Sequence, residues 1–256
     1  MNILKTLAAA TALSVVMSAP AMADVKTVSF TNIKAEWYDW SGGFNVVPDN
    51  NGTPDASVEW GKNGRSGYAF TTTLPAISVD TDIQMSGLTT IGEFTHFNYV
   101  IDSGSGISSI KLKLLMDVYV GDDLVDNVAF YYSFNHWETP NGSNPCADGN
   151  PHGSGVNVNG CADNVRVNFL QDSGSFTLDG FEYALDVEGF LLPNGSEATT
   201  FWTKEKATNT AELQGRVVLR SLAGAVPEPA TWAMMIGGFA IAGASLRRRK
   251  TAVSFA

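Results

Sequence analysis

The chain has 256 residues, with 16 Lys and Arg against 26 Asp and Glu, a formal net charge of -10. A hydrophobic share of 44%, including 14 Phe, 7 Tyr and 6 Trp, is too apolar for a disordered polypeptide, and the acidic balance lacks the basic footprint of a nucleic-acid binder. Few charges, 25 Gly and 10 Pro, with polar and aromatic residues interleaved, read as an exported all-β protein.

Residues 1–23 have the form of a signal peptide. Lys5 supplies the positive start, Leu7 to Met17 the apolar run, and Ala21-Met22-Ala23 the small residues that signal peptidase accepts, so cleavage is expected before Asp24. The run is shorter than the roughly 20 apolar residues a bilayer span needs, and no cysteine at the junction provides a lipid anchor. Signal peptidase and the export machinery are the partners this segment implies.

The following segment, 24–226, carries strand signals throughout. Val25 to Ile33 mixes β-branched and polar residues, and an aromatic stretch follows through Trp37, Tyr38 and Trp40. Pro48 to Pro54, with Asn50-Asn51-Gly52 inside it, reads as a turn-rich loop. Strands are expected at Ser57–Trp60, Gly67–Thr72, Ile91–Ile101, Ile107–Val120, Val128–Phe134, Val165–Leu170, Ser175–Val187 and Ala211–Ser221. The clearest is Ile107–Val120, where Ile110, Leu112, Leu114, Met116, Val118 and Val120 recur at every second position. Leu115 lies on the opposite face, so that face is not expected to be fully exposed. No βαβ rhythm, dinucleotide fingerprint or P-loop interrupts the series. The pattern predicts one β-sandwich domain of jelly-roll type, with a barrel as the alternative architecture.

Cys146 and Cys161 enclose a loop rich in Gly and Asn; in an exported chain they are expected to form a disulfide. Zinc on these two sulfurs would lack the Cys-x2-Cys spacing. Two groups of hard oxygen donors are candidates for calcium, Asp122, Asp123 and Asp126 after a strand, and Asp148, Asn150 and Asp163 around the cystine loop, although neither has EF-hand spacing. Beyond calcium, no cofactor is expected. His96 with Asn98, and His136 with Glu138, share a strand face by period two and so place imidazole beside a second polar group, but no third ligand is fixed by spacing. Glu59 and Glu93 are the carboxylates a glycosidase reading would use, at a separation the sequence does not set. There is no Gly-x-Ser-x-Gly elbow and no His-Glu-x-x-His helix, so no catalytic residue is assigned. The aromatics Trp37, Trp40, Trp60 and Trp137 are candidate ligand-binding residues, because a flat ring beside polar loops packs against a sugar.

The C-terminal segment 227–250 changes character. Pro227-Glu228-Pro229 precedes a Gly-rich apolar stretch, 231–246, that Trp232 opens, and Arg247-Arg248-Arg249-Lys250 closes it before a short tail, 251–256. A helix over 231–246 spans roughly 24 Å at about 1.5 Å per residue, short for a hydrocarbon core of about 30 Å, with Trp232 and the arginines placed for the two interfaces. The positive cluster should stay cytoplasmic, leaving the acidic domain outside the inner membrane. Pro227, Glu228, Pro229, Trp232 and Ala233, followed by the helix and Arg247, Arg248 and Arg249, resemble the PEP-CTERM sorting signal in its PEPxxWA form. That resemblance implies recognition and processing by an exosortase, a membrane enzyme of Gram-negative bacteria, and transfer to the cell surface or the extracellular matrix.

A second resemblance spans most of 56–218. Val58-Glu59-Trp60-Gly61, Gly92-Glu93-Phe94-Thr95-His96-Phe97-Asn98-Tyr99, Phe134-Asn135-His136-Trp137-Glu138-Thr139-Pro140-Asn141 and Thr203-Lys204-Glu205 are similar to segments of the choice-of-anchor K domain family. Members of that family carry different attachment tails on a similar ectodomain, and the resemblance implies no activity. The sequence therefore predicts a structural or adhesive surface protein, with a carbohydrate-binding module as the alternative, a secreted hydrolase behind both, and exopolysaccharide or other matrix as the partner.

Overall fold

The computed structural model describes residues 25–80, 84–169, 174–221 and residue 239. The expected signal peptide, the motif residues Pro227, Glu228, Pro229 and Trp232, the expected helix 231–246 apart from residue 239, and Arg247, Arg248 and Arg249 lie outside these described residues. Within them the protein is nearly all β.

The strands are β1 (Val25–Gly42), β2 (Val47–Asp49), β3 (Asp55–Trp60), β4 (Ser66–Thr72), β5 (Ile77–Asp80), β6 (Met85–Ser86), β7 (Thr89–Asn98) and β8 (Ile107–Val120). They continue as β9 (Asp123–Trp137), β10 (Asp163–Phe169), β11 (Phe176–Leu178), β12 (Phe181–Leu191), β13 (Glu197–Ala198), β14 (Thr200–Thr203) and β15 (Ala207–Ser221). All pairings are antiparallel, in the order β14-β10-β9-β8-β1-β5-β6-β15-β7-β4-β3-β2, with β12 also on β15. The short β5–β6 pair carries the sheet round a corner, so that β1, β8, β9 and β10 face β4, β7, β12 and β15 as two layers of an open β-sandwich.

Alternation builds the interior. On β8, Ile110, Leu112, Leu114, Met116 and Val118 are buried while Lys111, Lys113, Leu115 and Asp117 stay half-buried on the outer face. On β9 the inward positions run Val128, Phe130, Tyr132, Phe134 and His136. Phe94 from one layer stacks on Phe134 from the other, 5.1 Å between centroids, and Trp37 fits edge-on to Phe134 at 5.3 Å. These rings belong to one continuous cluster of buried side chains.

Several strands depart from the expected limits for local reasons. Val25 to the aromatic stretch is a single strand, because bulges at Thr31/Lys34 and Tyr38/Ser41 let it bend. Asn32 and Asp39, both at positive φ, sit within those irregular stretches, where their short polar side chains tolerate the left-handed region. The run expected as one strand at Ser175–Val187 is a hairpin, β11–β12, turned by Asp179 and Gly180 at φ +50° and +82°. Asp-Gly with two positive φ angles is the chemistry of a two-residue hairpin turn. In the loop expected at Pro48–Pro54, the Asn51 side chain acts as a strand neighbour to β1: its Oδ1 accepts from the Trp37 N–H (3.0 Å) and its Nδ2 donates to the Trp37 carbonyl (3.0 Å).

Candidate functional site

At one end of the sandwich the apolar interior gives way to polar side chains that the strand alternation still directs inward. His136 continues the apolar series of β9, and His96 and Asn98 continue that of β7 beyond Phe94. The two imidazoles therefore meet across the layers, edge to face at 5.2 Å between centroids, with Tyr68 and Trp60 packed against both.

Each ring is held from its δ nitrogen. His96 Nδ1 lies 2.8 Å from Thr203 Oγ1, whose hydroxyl donates to the Asp163 carbonyl (3.2 Å). Asn98 Nδ2 donates to the Thr203 carbonyl (3.1 Å). His136 Nδ1 lies 2.5 Å from Tyr68 Oη, and its Nε2 lies 3.3 Å from Glu138 Oε2. Burial pushes His136 down to about 4 and lowers His96 as well, with His136 adding to the effect, so both rings are neutral. The contact between His136 and Glu138 is thus a hydrogen bond to a neutral ring, not an ion pair. Burial keeps the Tyr68 phenol protonated, and its O–H donating to Nδ1 with Nε2–H donating to Glu138 satisfies both contacts.

Asp163 joins this group from β10. Its register opposite β9, Asn164 against Trp137, brings its carboxylate to the end of the strand that carries His136. The Thr139 backbone N–H donates to Asp163 Oδ1 (2.6 Å), whereas Oδ2 has no hydrogen-bond partner among the described residues, although Asp163 is fully buried. His136, Glu138 and Asp163 each present a donor atom within 4.8 Å of the other two, the one such group of His, Cys, Asp and Glu side chains among the described residues. Burial raises the Glu138 and Asp163 carboxyls above the usual carboxylate range, and for Asp163 the nearby Glu138 adds to the rise. Glu138 also lines a cleft of about 350 Å³ with Asp102, Gly106 and Asn141.

Glu205 is buried behind Asn141. With its amide nitrogen facing inward, Asn141 donates to Glu205 Oε1 (3.0 Å) and to the Cys161 carbonyl (3.2 Å), and burial followed by the Glu138 charge pushes Glu205 up to about 7. Gly160, at φ +140°, passes so close that a Cβ would lie 2.9 Å from the Asn141 amide group and 3.1 Å from Glu205 Cγ. A side chain there would be excluded on both counts.

Cys146 and Cys161 form the disulfide. Inside its loop Asp148 is occupied by amides: Asn157 Nδ2 donates to both oxygens (2.9 and 3.0 Å), and Asn150 donates from its backbone (3.1 Å) and its side chain (2.8 Å). Asn157 Oδ1 in turn accepts from the Ala162 N–H (2.8 Å). The expected calcium set of Asp148, Asn150 and Asp163 therefore does not assemble: the first two brace the loop, and Asp163 is drawn into the histidine cluster. Asp122, Asp123 and Asp126 are exposed around the β8–β9 hairpin, and Asp126 accepts from its own neighbour Asn127 (2.8 Å). They do not converge as a set of ion ligands.

The candidate aromatic residues divide. Trp37 (1% exposed) and Trp60 (0%) are core residues, which corrects the expectation that their faces meet a ligand; the Trp37 indole N–H donates to the Ala56 carbonyl (3.1 Å). Trp40 (40%) and Trp137 (54%) are exposed. Trp137 has a neighbour the sequence reading missed, Trp202 on β14, with ring centroids 6.3 Å apart. Asn164 pairs with both tryptophans across the strands, so the three stand in a row on the outer face. Period two on β14, with Phe201 inward, is the signal that marks Trp202 as outward. Trp202 also walls a groove of about 850 Å³, with Asn194, Thr200, Lys204, Thr208 and Asn209 among its lining. Glu59 and Glu93, the carboxylates of the glycosidase reading, are both exposed, Glu59 beside Arg65 (3.4 Å).

Residues 225–250 match the family described as the PEP-CTERM protein-sorting motif. The motif marks an exported protein with a membrane-anchored sorting signal, and an exosortase as its processing partner. No curated protein matches the chain.

Proposed function

We propose that the protein is a structural or adhesive component of the cell surface or extracellular matrix. In this reading residues 1–23 are removed on export, 24–226 form the working ectodomain, and 227–250 hold it in the inner membrane until an exosortase releases it. The observation that carries the proposal is the sorting motif at 225–250 joined to a disulfide-braced sandwich with a sealed aromatic core. Such a unit withstands an oxidising, protease-rich exterior. The similarity of 56–218 to choice-of-anchor K ectodomains agrees with a domain displayed by an interchangeable tail. Purified full-length protein mixed with matrix stripped from its own cells should co-sediment, and failure to associate with either matrix or cells would remove the adhesive reading.

The second reading, a carbohydrate-binding module, is favoured by the groove beside Trp202. Its lining combines an indole face with amide, hydroxyl and ammonium groups, the mixture that holds a sugar by stacking and hydrogen bonding. A glycan array probed with the full-length chain tests it, and an array without saturable binding would leave the structural role standing alone.

A further inference from the structure

We propose that His136, Glu138 and Asp163 form a zinc-binding site that clamps the end of β9 to the start of β10. The three side chains come from two neighbouring strands and the residue just past one of them, and their donor atoms already lie within 4.8 Å of one another. Zinc bonds of about 2.0–2.1 Å at tetrahedral angles place adjacent ligand atoms about 3.3 Å apart. His136 Nε2 and Glu138 Oε2 are 3.3 Å apart.

A second observation points to a ligand independently of that spacing. Asp163 is fully buried, yet its Oδ2 has no hydrogen-bond partner among the described residues, while the Thr139 N–H fixes the other oxygen at 2.6 Å. A buried carboxylate oxygen left without a donor is costly, and a cation removes that cost. Two carboxylates beside one another also repel, and a divalent ion allows both to ionise.

The surrounding groups suit a metal-ligating histidine. Tyr68 Oη sits 2.5 Å from His136 Nδ1 and fixes the ring plane, as outer partners do at metal sites. When Nε2 ligates, the ring proton resides on Nδ1 and Tyr68 Oη accepts it. Gly106 leaves room over Glu138, where a Cβ would lie 3.1 Å from Oε2, and Glu138 itself lines the cleft of about 350 Å³ from which an ion would enter. The ligand set selects the ion. One imidazole and two carboxylates suit zinc, whereas calcium asks for 6–8 oxygens. Cysteine is unavailable, since both sulfurs are consumed by the disulfide.

The test uses the full-length chain, stripped with chelator, dialysed against micromolar zinc and measured by elemental mass spectrometry and titration calorimetry. One zinc per chain is expected, with a rise in thermal midpoint. Outer partners alone change metal affinity by about 10–100-fold, so loss of a ligand in Glu138→Gln or Asp163→Asn should weaken binding by at least that factor. His152→Gln, in the exposed loop, should bind as the parent does. Glu138 lies partly at the surface, so Glu138→Gln decides the matter if Asp163→Asn does not fold, with circular dichroism and the intact disulfide as the check on folding. A folded parent that retains no zinc, undiminished binding in folded Glu138→Gln, or loss of binding in His152→Gln would each overturn the proposal.

Discussion

His96 on β7 and His136 on β9 meet edge to face across the two layers, with 5.2 Å between ring centroids. Both are neutral, both are buried, and each is oriented through its δ nitrogen by a hydroxyl, Thr203 for one and Tyr68 for the other. Those two hydrogen bonds fix the ring orientations at the polar end of the sandwich, while His96 Nε2 and Asp163 Oδ2 are buried there with no hydrogen-bond partner among the described residues.

Thr203 is the hub of that arrangement, so Thr203→Val should be costly despite its near-equal volume. The substitution leaves His96 Nδ1 without its partner, and a buried group stripped of its hydrogen bond costs about 1–3 kcal/mol. Urea unfolding of parent and variant measures the difference; equal midpoints would show that the histidine does not depend on the hydroxyl.

The disulfide closes a loop over a sequence separation of 15, for which chain entropy gives up to about 3 kcal/mol. Replacing both cysteines by serine should lower stability by an amount of that order and leave a folded domain. In the parent purified without reductant, mass spectrometry should find a chain lighter by two hydrogens than its reduced form. Free thiols there would contradict the pairing.

Glu205 gives the domain a pH dependence of known sign. Its carboxyl titrates near the ordinary 4.5 in the unfolded chain and about 7 in the folded one. The folded state therefore binds more protons between those values, and stability falls as pH rises from about 4.5 to about 7. Glu205→Gln removes that loss. With chelator present, the variant should match the parent near pH 4.5 and exceed it at pH 8 by at most about 3 kcal/mol. A difference that does not change with pH would remove Glu205 as its source.

Strand alternation made much of this legible. The strand Ile107–Val120 could be bounded from its pattern alone, and His136 stands in phase with Val128, Phe130, Tyr132 and Phe134, which marks it as inward. The burial of Trp37 was readable in the same way from its phase with Ala35, but an aromatic run invites a surface reading because tryptophan serves both places. Asp163 was not legible as a neighbour of His136. A long loop separates them in sequence, and only the β9–β10 register returns it to that point. Trp202 is hidden for the same reason, since its pairing with Trp137 exists only through the strand between them.

If the outer face binds sugar, the exposed indole of Trp137 and the half-buried indole of Trp202 carry it. Trp202→Ala and Trp137→Ala should each weaken glycan binding, by about 1–3 kcal/mol if the sugar stacks as a base does on an aromatic ring, with little change in the thermal midpoint. Affinity electrophoresis against exopolysaccharide reads both at once. Retention of binding in the double variant would assign it elsewhere.

Whether an exosortase processes the sorting tail of this exported chain is read from the intact mass of the protein in envelope and culture supernatant. The expected mature chain begins at Asp24 and ends near Pro227-Glu228-Pro229, without Arg247, Arg248, Arg249 and Lys250. Recovery in every fraction of a chain that still carries those four residues would contradict it.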